Sequence, residues 1–313
     1  MDNPAIALDV ELPATAEQAV DSKIILSFDV EEHYRIEAAV GLDIAPQQKV
    51  HYRQRLDTSM AWLLDLLAEA LVYATFFLVG EIAEHNPQMI RRIAKDGHEI
   101  ASHGWDHRRV HHFTPATFRE DVQRSKTALE NLSGTPVVGY RAPTFSIMRE
   151  TAWALDVLAE LEMLYDSSIY PVRHDRYGVP AAPRSPFLAR GESHSLLEMP
   201  PAILRMFGMN LPMGGGGYFR LFPLFCTESA IRQSERQCQP SVAMLYFHPW
   251  EFDPEQERLP LGRVAGFRTY VGIGRSRRRL AALLARHRFA RAVDVARGLK
   301  PVLGSLTTFA VGT

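Results

Sequence analysis

The chain is built from short apolar runs that alternate with helically spaced segments, and no other feature limits its fold as strongly. "KIILSFDV" (23–30), "VYATFFLVG" (72–80), "HEIAS" (98–102), "VVGYRAP" (137–143), "EMLYDSS" (162–168), "SLLEMPPAI" (195–203) and "VAMLYFHPW" (242–250) read as buried strands. Between them lie segments with helical apolar spacing at 58–70, 86–97, 114–134, 149–161, 227–237 and 274–287. A short strand, "FARAV" (289–293), is expected after the last helix. Repeated strand–helix–strand units make a parallel sheet, and such sheets gather functional groups at the C-terminal ends of their strands. Asp29, His103, Arg141, Asp166 and His248 all fall at such ends. The Gly/Pro-rich stretch from 169 to 220 is the one long irregular region.

At 313 residues, 46% hydrophobic and 23% charged, the chain can bury a large core as one α/β domain with extensions. The expected division is a flexible lead-in over 1–22, a catalytic domain over 23–300 and a C-terminal tail over 301–313. The formal charge of −1 leaves no global basic field, so nucleic acid is not an expected partner. The basic run "GRSRRR" lies on a helical pattern and reads as a solvated helix face. Cys226 and Cys238 are too few for a disulfide framework and read as reduced thiols. There is no apolar h-region near the start and no run of about 18 apolar residues, so neither a signal peptide nor a transmembrane helix is expected. These readings place the chain in the cytoplasm, with a peripheral position at the inner membrane as a variant; oligomeric state is left open.

"SHGWDH" (102–107) carries His103 and His107 four residues apart, a spacing that sets two imidazoles on one side of a helical turn and suits a divalent ion. "FDVEEH" supplies Asp29, Glu31 and Glu32 after a buried strand, and alternation puts Asp29 and Glu31 on one face. If Glu31 completes a metal site with the histidines, Asp29 is left beside it as a base, and His248 can protonate a leaving group. Arg141 can orient Asp29 through a charge-assisted contact. "MGGGG" lacks the lysine and helix start of a phosphate loop and reads as a flexible loop beside a groove. "SSIYPVRHDRYG" offers aromatic and cationic groups, among them Tyr170 and Arg176, that suit a glycan.

In their order, "SFDVEEH", "SHGWDH", "YRAPTFS", "YDSSIYPVRHDRYGVP" and "YFHPWEF" resemble the motifs of the NodB-homology polysaccharide deacetylases, carbohydrate esterase family 4. With "LPMGGGGYFRLFP", the wording looks most like the subfamily encoded with exosortase (PEP-CTERM) exopolysaccharide loci. The resemblance spans residues 23 to 295. It implies a distorted (β/α) barrel of about seven parallel strands, one zinc or similar divalent ion, and removal of N-acetyl groups from amino sugars of a polysaccharide. Carried over by motif, His103 and His107 match the metal-binding histidines, Asp29 the catalytic base, His248 the catalytic acid and Arg141 the arginine that holds the base. Tyr140, Pro143, Thr144, Tyr170, Arg176 and Trp250, in or beside these motifs, are the expected sugar contacts, Thr144 through its main-chain N–H as the oxyanion donor. The family's usual paired aspartates are replaced here by Asp29-Val30-Glu31, which moves the carboxylate ligand to Glu31 or Glu32. Some relatives of this form act on small cyclic amides without metal, so a metal-independent amidase is one alternative; a catalytically degenerate glycan-binding protein is another.

Overall fold

The computed structural model describes residues 24–312, and the lead-in expected over 1–22 lies outside them. Eleven strands are present among these residues: β1 (Ile24–Val30), β2 (Thr75–Leu78), β3 (Glu99–Ser102), β4 (Gly139–Tyr140), β5 (Tyr165–Asp166), β6 (Phe187–Arg190), β7 (Ser195–Glu198), β8 (Leu204–Met206), β9 (Met209–Leu211), β10 (Ala243–Phe247) and β11 (Thr308–Ala310). The main sheet runs β10-β1-β2-β3-β4-β5-β7-β6-β11. Its first seven strands are all parallel, as the alternation requires. β6 returns antiparallel to β7. The chain beyond β7 then reaches β10, where Pro201 bridges Met244 and the Ala202 N–H donates to the Met244 carbonyl at 2.8 Å. The curled sheet thus meets itself at isolated points rather than through a continuous ladder, a distorted (β/α) barrel.

Strand alternation sorts two cores. Leu26, Phe28, Phe76, Leu78, Leu245 and Phe247 face the surrounding helices, in one cluster with Leu63, Leu67 and Ile90. Ile25, Phe77, Ala101, Tyr165, Leu197 and Met244 face inward. The N-terminal mouth is closed by the helix Ala292–Leu299, whose Ala292 and Val293 N–H groups donate to Thr75 Oγ1 and Glu99 Oε2 at 2.7 and 2.8 Å. The opposite mouth is therefore the open end.

Several expectations need correction. The first helix runs from Pro46 to Glu69, not from 58, because Tyr52 and Leu56 extend its buried stripe one turn at a time ahead of Met60, Leu63 and Leu67. "FARAV" is not a strand: Ala290 alone bridges Ile25, and the helix begins at Ala292 with Arg291 bonded to Asp294 in its first turn. The segment expected as a tail adds Lys300–Ser305, a 3-10 helix, and β11, which covers the edge of β6 in parallel register and sets Phe309 edge-to-face against Phe187. The glycine run is packed rather than flexible. Gly215 bridges Tyr246, and a Cβ there would lie 1.7 Å from the Tyr246 carbonyl oxygen, so only glycine lets this segment lie against β10. The 169–220 stretch holds β6, β7 and the β8–β9 hairpin.

Candidate metal centre and active site

The open mouth is a cleft of about 710 Å³ whose floor is Asp29, Glu31, His103, His107 and His248. β1 delivers Asp29 on its inward face, and Glu31 follows two residues later on the same side. β3 ends at Ser102 and hands on His103, whose Nδ1 lies 2.7 Å from the Arg141 carbonyl oxygen. That bond leaves Nε2 as the nitrogen free to ligate, with the ring orientation fixed. His107 reaches the same point by a different backbone path from the one the spacing suggests. Residues 103–109 form no helical turn; Gly104 (φ 74°) and His107 (φ 67°) both adopt left-handed conformations, and the two rings end 5.1 Å apart. A positive φ at a non-glycine residue costs energy and is a mark of functional sites.

One ligand atom from each of Glu31, His103 and His107 lies within 4.8 Å of the others, a set that could hold a metal ion. The donors are chemically apt for zinc or a similar divalent ion: two imidazoles and one carboxylate. Glu31 Oε2 stands 2.6 Å from His107 Nε2, so the carboxylate and the imidazole present their donor atoms to one shared point on the cleft floor. Burial opposes ionisation of Glu31, but His107, His248 and His103 outweigh it and hold the carboxyl below the ordinary range. Burial lowers the His103 imidazole to about 4 against the pull of Asp29, which keeps the ring neutral and able to ligate. Glu32 turns away to Arg35, 2.5 Å from its Nε, and is not part of the set.

Arg141 is fully buried beneath the floor, its guanidinium 4.1 Å above the Phe77 ring. It donates from Nη1 to Asp29 Oδ1 at 2.6 Å and to Ser27 Oγ at 2.9 Å, and from Nη2 to Ser167 Oγ at 2.9 Å. The orienting contact with Asp29 is therefore buried and charge-assisted rather than a surface pair. His248 Nε2 sits 3.9 Å from Asp29 Oδ2 and 3.8 Å from Glu31 Oε1.

A chain of groups behind His248 was not among the expected site residues. Glu251 Oε1 lies 2.7 Å from His248 Nδ1, and Arg220 Nε donates to Glu251 Oε2 at 2.6 Å. Burial favours the neutral imidazole, but Glu251, with help from Glu31 and Asp29, raises His248 to about 9. The signal was available for Glu251, an acid three residues after the residue that starts the Pro249–Phe252 turn, and absent for Arg220. Replacing Glu251 with Gln is expected to lower kcat and to move the alkaline limb of its pH profile to lower pH, since His248 then loses its proton earlier. An alkaline limb unmoved in Glu251→Gln would deny Glu251 this role.

The expected sugar contacts divide. Thr144, Arg176 and Trp250 line the cleft; Tyr140, Pro143 and Tyr170 do not. Tyr140 ends β4 directly before Arg141, so alternation turns it outward onto Phe118, ring centroids 5.7 Å apart. Pro143 is buried in the turn that carries Thr144. Tyr170 is fully buried in a cluster with Phe145, Tyr177 and Tyr246 and acts as a support for the cleft wall. Thr144 and Phe145 take left-handed conformations (φ 57° and 50°), a strained turn at the edge of the metal set. Trp250 Nε1 donates to Glu31 Oε1 at 3.3 Å, so it steadies the carboxylate as well as lining the wall.

The candidate metal ligands, the Arg141-held carboxylate and His248 thus gather at the C-terminal mouth of a parallel barrel. The family described as Polysaccharide deacetylase matches residues 48–164, and that described as Domain of unknown function (DUF3473) matches residues 167–297, which include His248. Residues 48–164 are thus similar to a polysaccharide deacetylase domain, followed by a DUF3473 region. It is 33% identical over 95 residues to a peptidoglycan-N-acetylglucosamine deacetylase of Bacillus cereus, covering 30% of this chain and 34% of that protein. It is 36% identical over 100 residues to a chitooligosaccharide deacetylase of Sinorhizobium fredii, covering 31% and 42%. The chain thus matches between about a third and two fifths of the length of these relatives. Its fold is similar to that of a Mycobacterium smegmatis protein classed with the polysaccharide deacetylases, with TM-score 0.58 and 23% identity over 91% of each chain. A Pseudomonas aeruginosa protein classed likewise gives TM-score 0.55 and 19% identity, covering 90% of this chain and 92% of that one.

Proposed function

We propose that this chain is a metal-dependent hydrolase that removes N-acetyl groups from amino sugars of a polysaccharide. The observation that carries the reading is the placement of Glu31, His103 and His107 around one point, with the Arg141-held carboxylate of Asp29 beside them. Zinc or a similar divalent cation fits this donor set and, when bound, supplies Lewis-acid polarisation of an acyl oxygen and a water. The rest falls to the chain itself. Asp29 takes a proton from the attacking water, and Arg141, bonded to its Oδ1 at 2.6 Å, keeps the carboxylate correctly turned. The left-handed turn at Thr144 presents main-chain groups at the cleft edge, where an oxyanion needs a donor. His248, kept protonated by Glu251, gives its proton to the departing amine. Activity on N-acetylated glycans by the relatives named above supports the substrate class.

The resemblance of the motifs to exosortase-associated sequences supports exopolysaccharide biosynthesis as the setting. We place the reaction in the cytoplasm, on precursors at the inner membrane face, in keeping with the two free cysteines. No helix among the described residues is long and apolar enough to cross a membrane. Elemental analysis of the purified protein, paired with acetate release from N-acetylglucosamine oligomers, tests the proposal. We expect about one divalent ion per chain, as a single three-ligand set holds one ion, and acetate production that chelation removes and added cation restores. Metal-free protein that opens a cyclic amide would replace this reading with a metal-independent amidase. Bound metal without any turnover would leave a glycan-binding protein.

A further inference from the structure

The charges of the cleft are almost all matched. Asp29 is paired with Arg141, Glu251 with Arg220 and His248, and Glu37 with Arg109 at 3.1 Å. Asp175 lies 3.0 Å from His174 Nδ1 and 4.0 Å from Arg268. Two lining guanidiniums differ. Among the described residues, the side chains of Arg173 and Arg176 make no hydrogen bond or ion pair, although both line the cleft that holds the candidate metal centre.

Their segment is not slack. Asn210 donates to the Pro171 carbonyl at 2.6 Å, Arg109 to the Arg176 carbonyl at 2.6 Å, and the Val179 N–H to the Tyr170 carbonyl at 2.8 Å. The His174 ring stacks on Tyr177 at 4.1 Å, and Tyr177 in turn stacks on buried Tyr170. The backbone that carries both arginines is therefore fixed from several sides before any ligand arrives, which lowers the ordering cost of binding. A planar guanidinium with free N–H groups is matched by carboxylate or phosphate oxygens, two at a time. Other parts of the wall, Tyr218, Phe222 and Phe267, offer apolar faces of the kind that sugar rings cover.

We propose that the cleft selects an anionic glycan, with Arg173 and Arg176 binding a carboxylate or phosphate group carried by the same molecule as the acetylated amino sugar. This rests on the glycan reading of the site and names its substrate class. A neutral polymer of amino sugars would leave both guanidiniums without a partner.

The test is calorimetric titration of the full chain with three probes: a hexamer of N-acetylglucosamine, a hyaluronan hexamer that alternates glucuronic acid with N-acetylglucosamine, and UDP-N-acetylglucosamine. At least one anionic probe is expected to bind about tenfold or more tighter than the neutral hexamer, a charge-assisted contact being worth that much. The preference should shrink as salt rises. Tighter binding of the hyaluronan hexamer assigns the arginines to a sugar carboxylate; tighter binding of the nucleotide sugar assigns them to phosphate. Arg173→Ala with Arg176→Ala should bring acidic and neutral probes level, and Arg173→Glu with Arg176→Glu should reverse their order. Equal affinities for all probes, no binding of either anionic probe, or a preference that survives the double substitution would overturn the inference. Binding is scored apart from acetate release, so a chain that prefers acidic probes but frees no acetate retains this inference and loses the hydrolytic one.

Discussion

Asp29→Asn is expected to abolish deacetylation, with kcat reduced about 10²–10⁴-fold, the range that a positioned general base supplies. The substitution is nearly isosteric. The amide oxygen can still accept from Arg141 Nη1, which bonds Asp29 Oδ1 at 2.6 Å in the native chain. What it cannot do is take a proton. Metal content should stay at the native level, since the candidate ligands are Glu31, His103 and His107 and none depends on Asp29 for its orientation. Loss of turnover with retained metal is thus the expected pair of results. Native-like kcat in Asp29→Asn would remove Asp29 as base; loss of both metal and turnover would make it a ligand instead. His107→Ala serves as the comparison, because it should lower metal content and turnover together.

How much of this was legible follows from what each signal measures. The seven parallel strands could be read because a strand buried on both faces is a continuous apolar run, as "KIILSFDV" and "VAMLYFHPW" are. The strand-end rule then found Asp29, Arg141 and His248, since topology alone puts those positions at one mouth. Depth was not legible in the same way. Tyr140 and Tyr170 stand in motifs beside cleft residues, but strand alternation turns one outward, and an aromatic cluster assembled from residues 145, 170, 177 and 246 buries the other. Periodicity also misjudged the local path at His107: four-residue spacing predicts a helical turn, whereas two left-handed residues bring the rings together. Arg220 carried no local signal because its partner Glu251 is brought to it only by packing of distant segments. Glycines 214 and 215 looked like a loop, and only the approach of Ala202 and Tyr246 shows why side chains are excluded.

Arg141→Met should cost the fold about 3–5 kcal/mol, the effect of breaking a buried pair so as to leave one charge without its partner. The Asp29 carboxylate, about 2% exposed, would lose its shortest contact. Ser27 Oγ and Ser167 Oγ would each lose a donor, although both hydroxyls keep bonds to the Leu245 and Met199 carbonyls. Most of the loss should therefore come from the carboxylate. That makes a sharper expectation for the double variant. Asp29→Asn in the Arg141→Met background replaces the stranded charge with a neutral amide, so the pair should be less destabilised than the sum of the single substitutions. Denaturant unfolding of the four proteins measures the coupling directly. Strict additivity would mean that Arg141 acts through its serine and Phe77 contacts and not through Asp29. Arg141→Lys separates charge from shape: one ammonium can approach Asp29, but it cannot also span Ser27 and Ser167 as a planar fork does. It should recover part of the stability and little of the turnover, because holding a base at a set angle needs the fork as well as the charge.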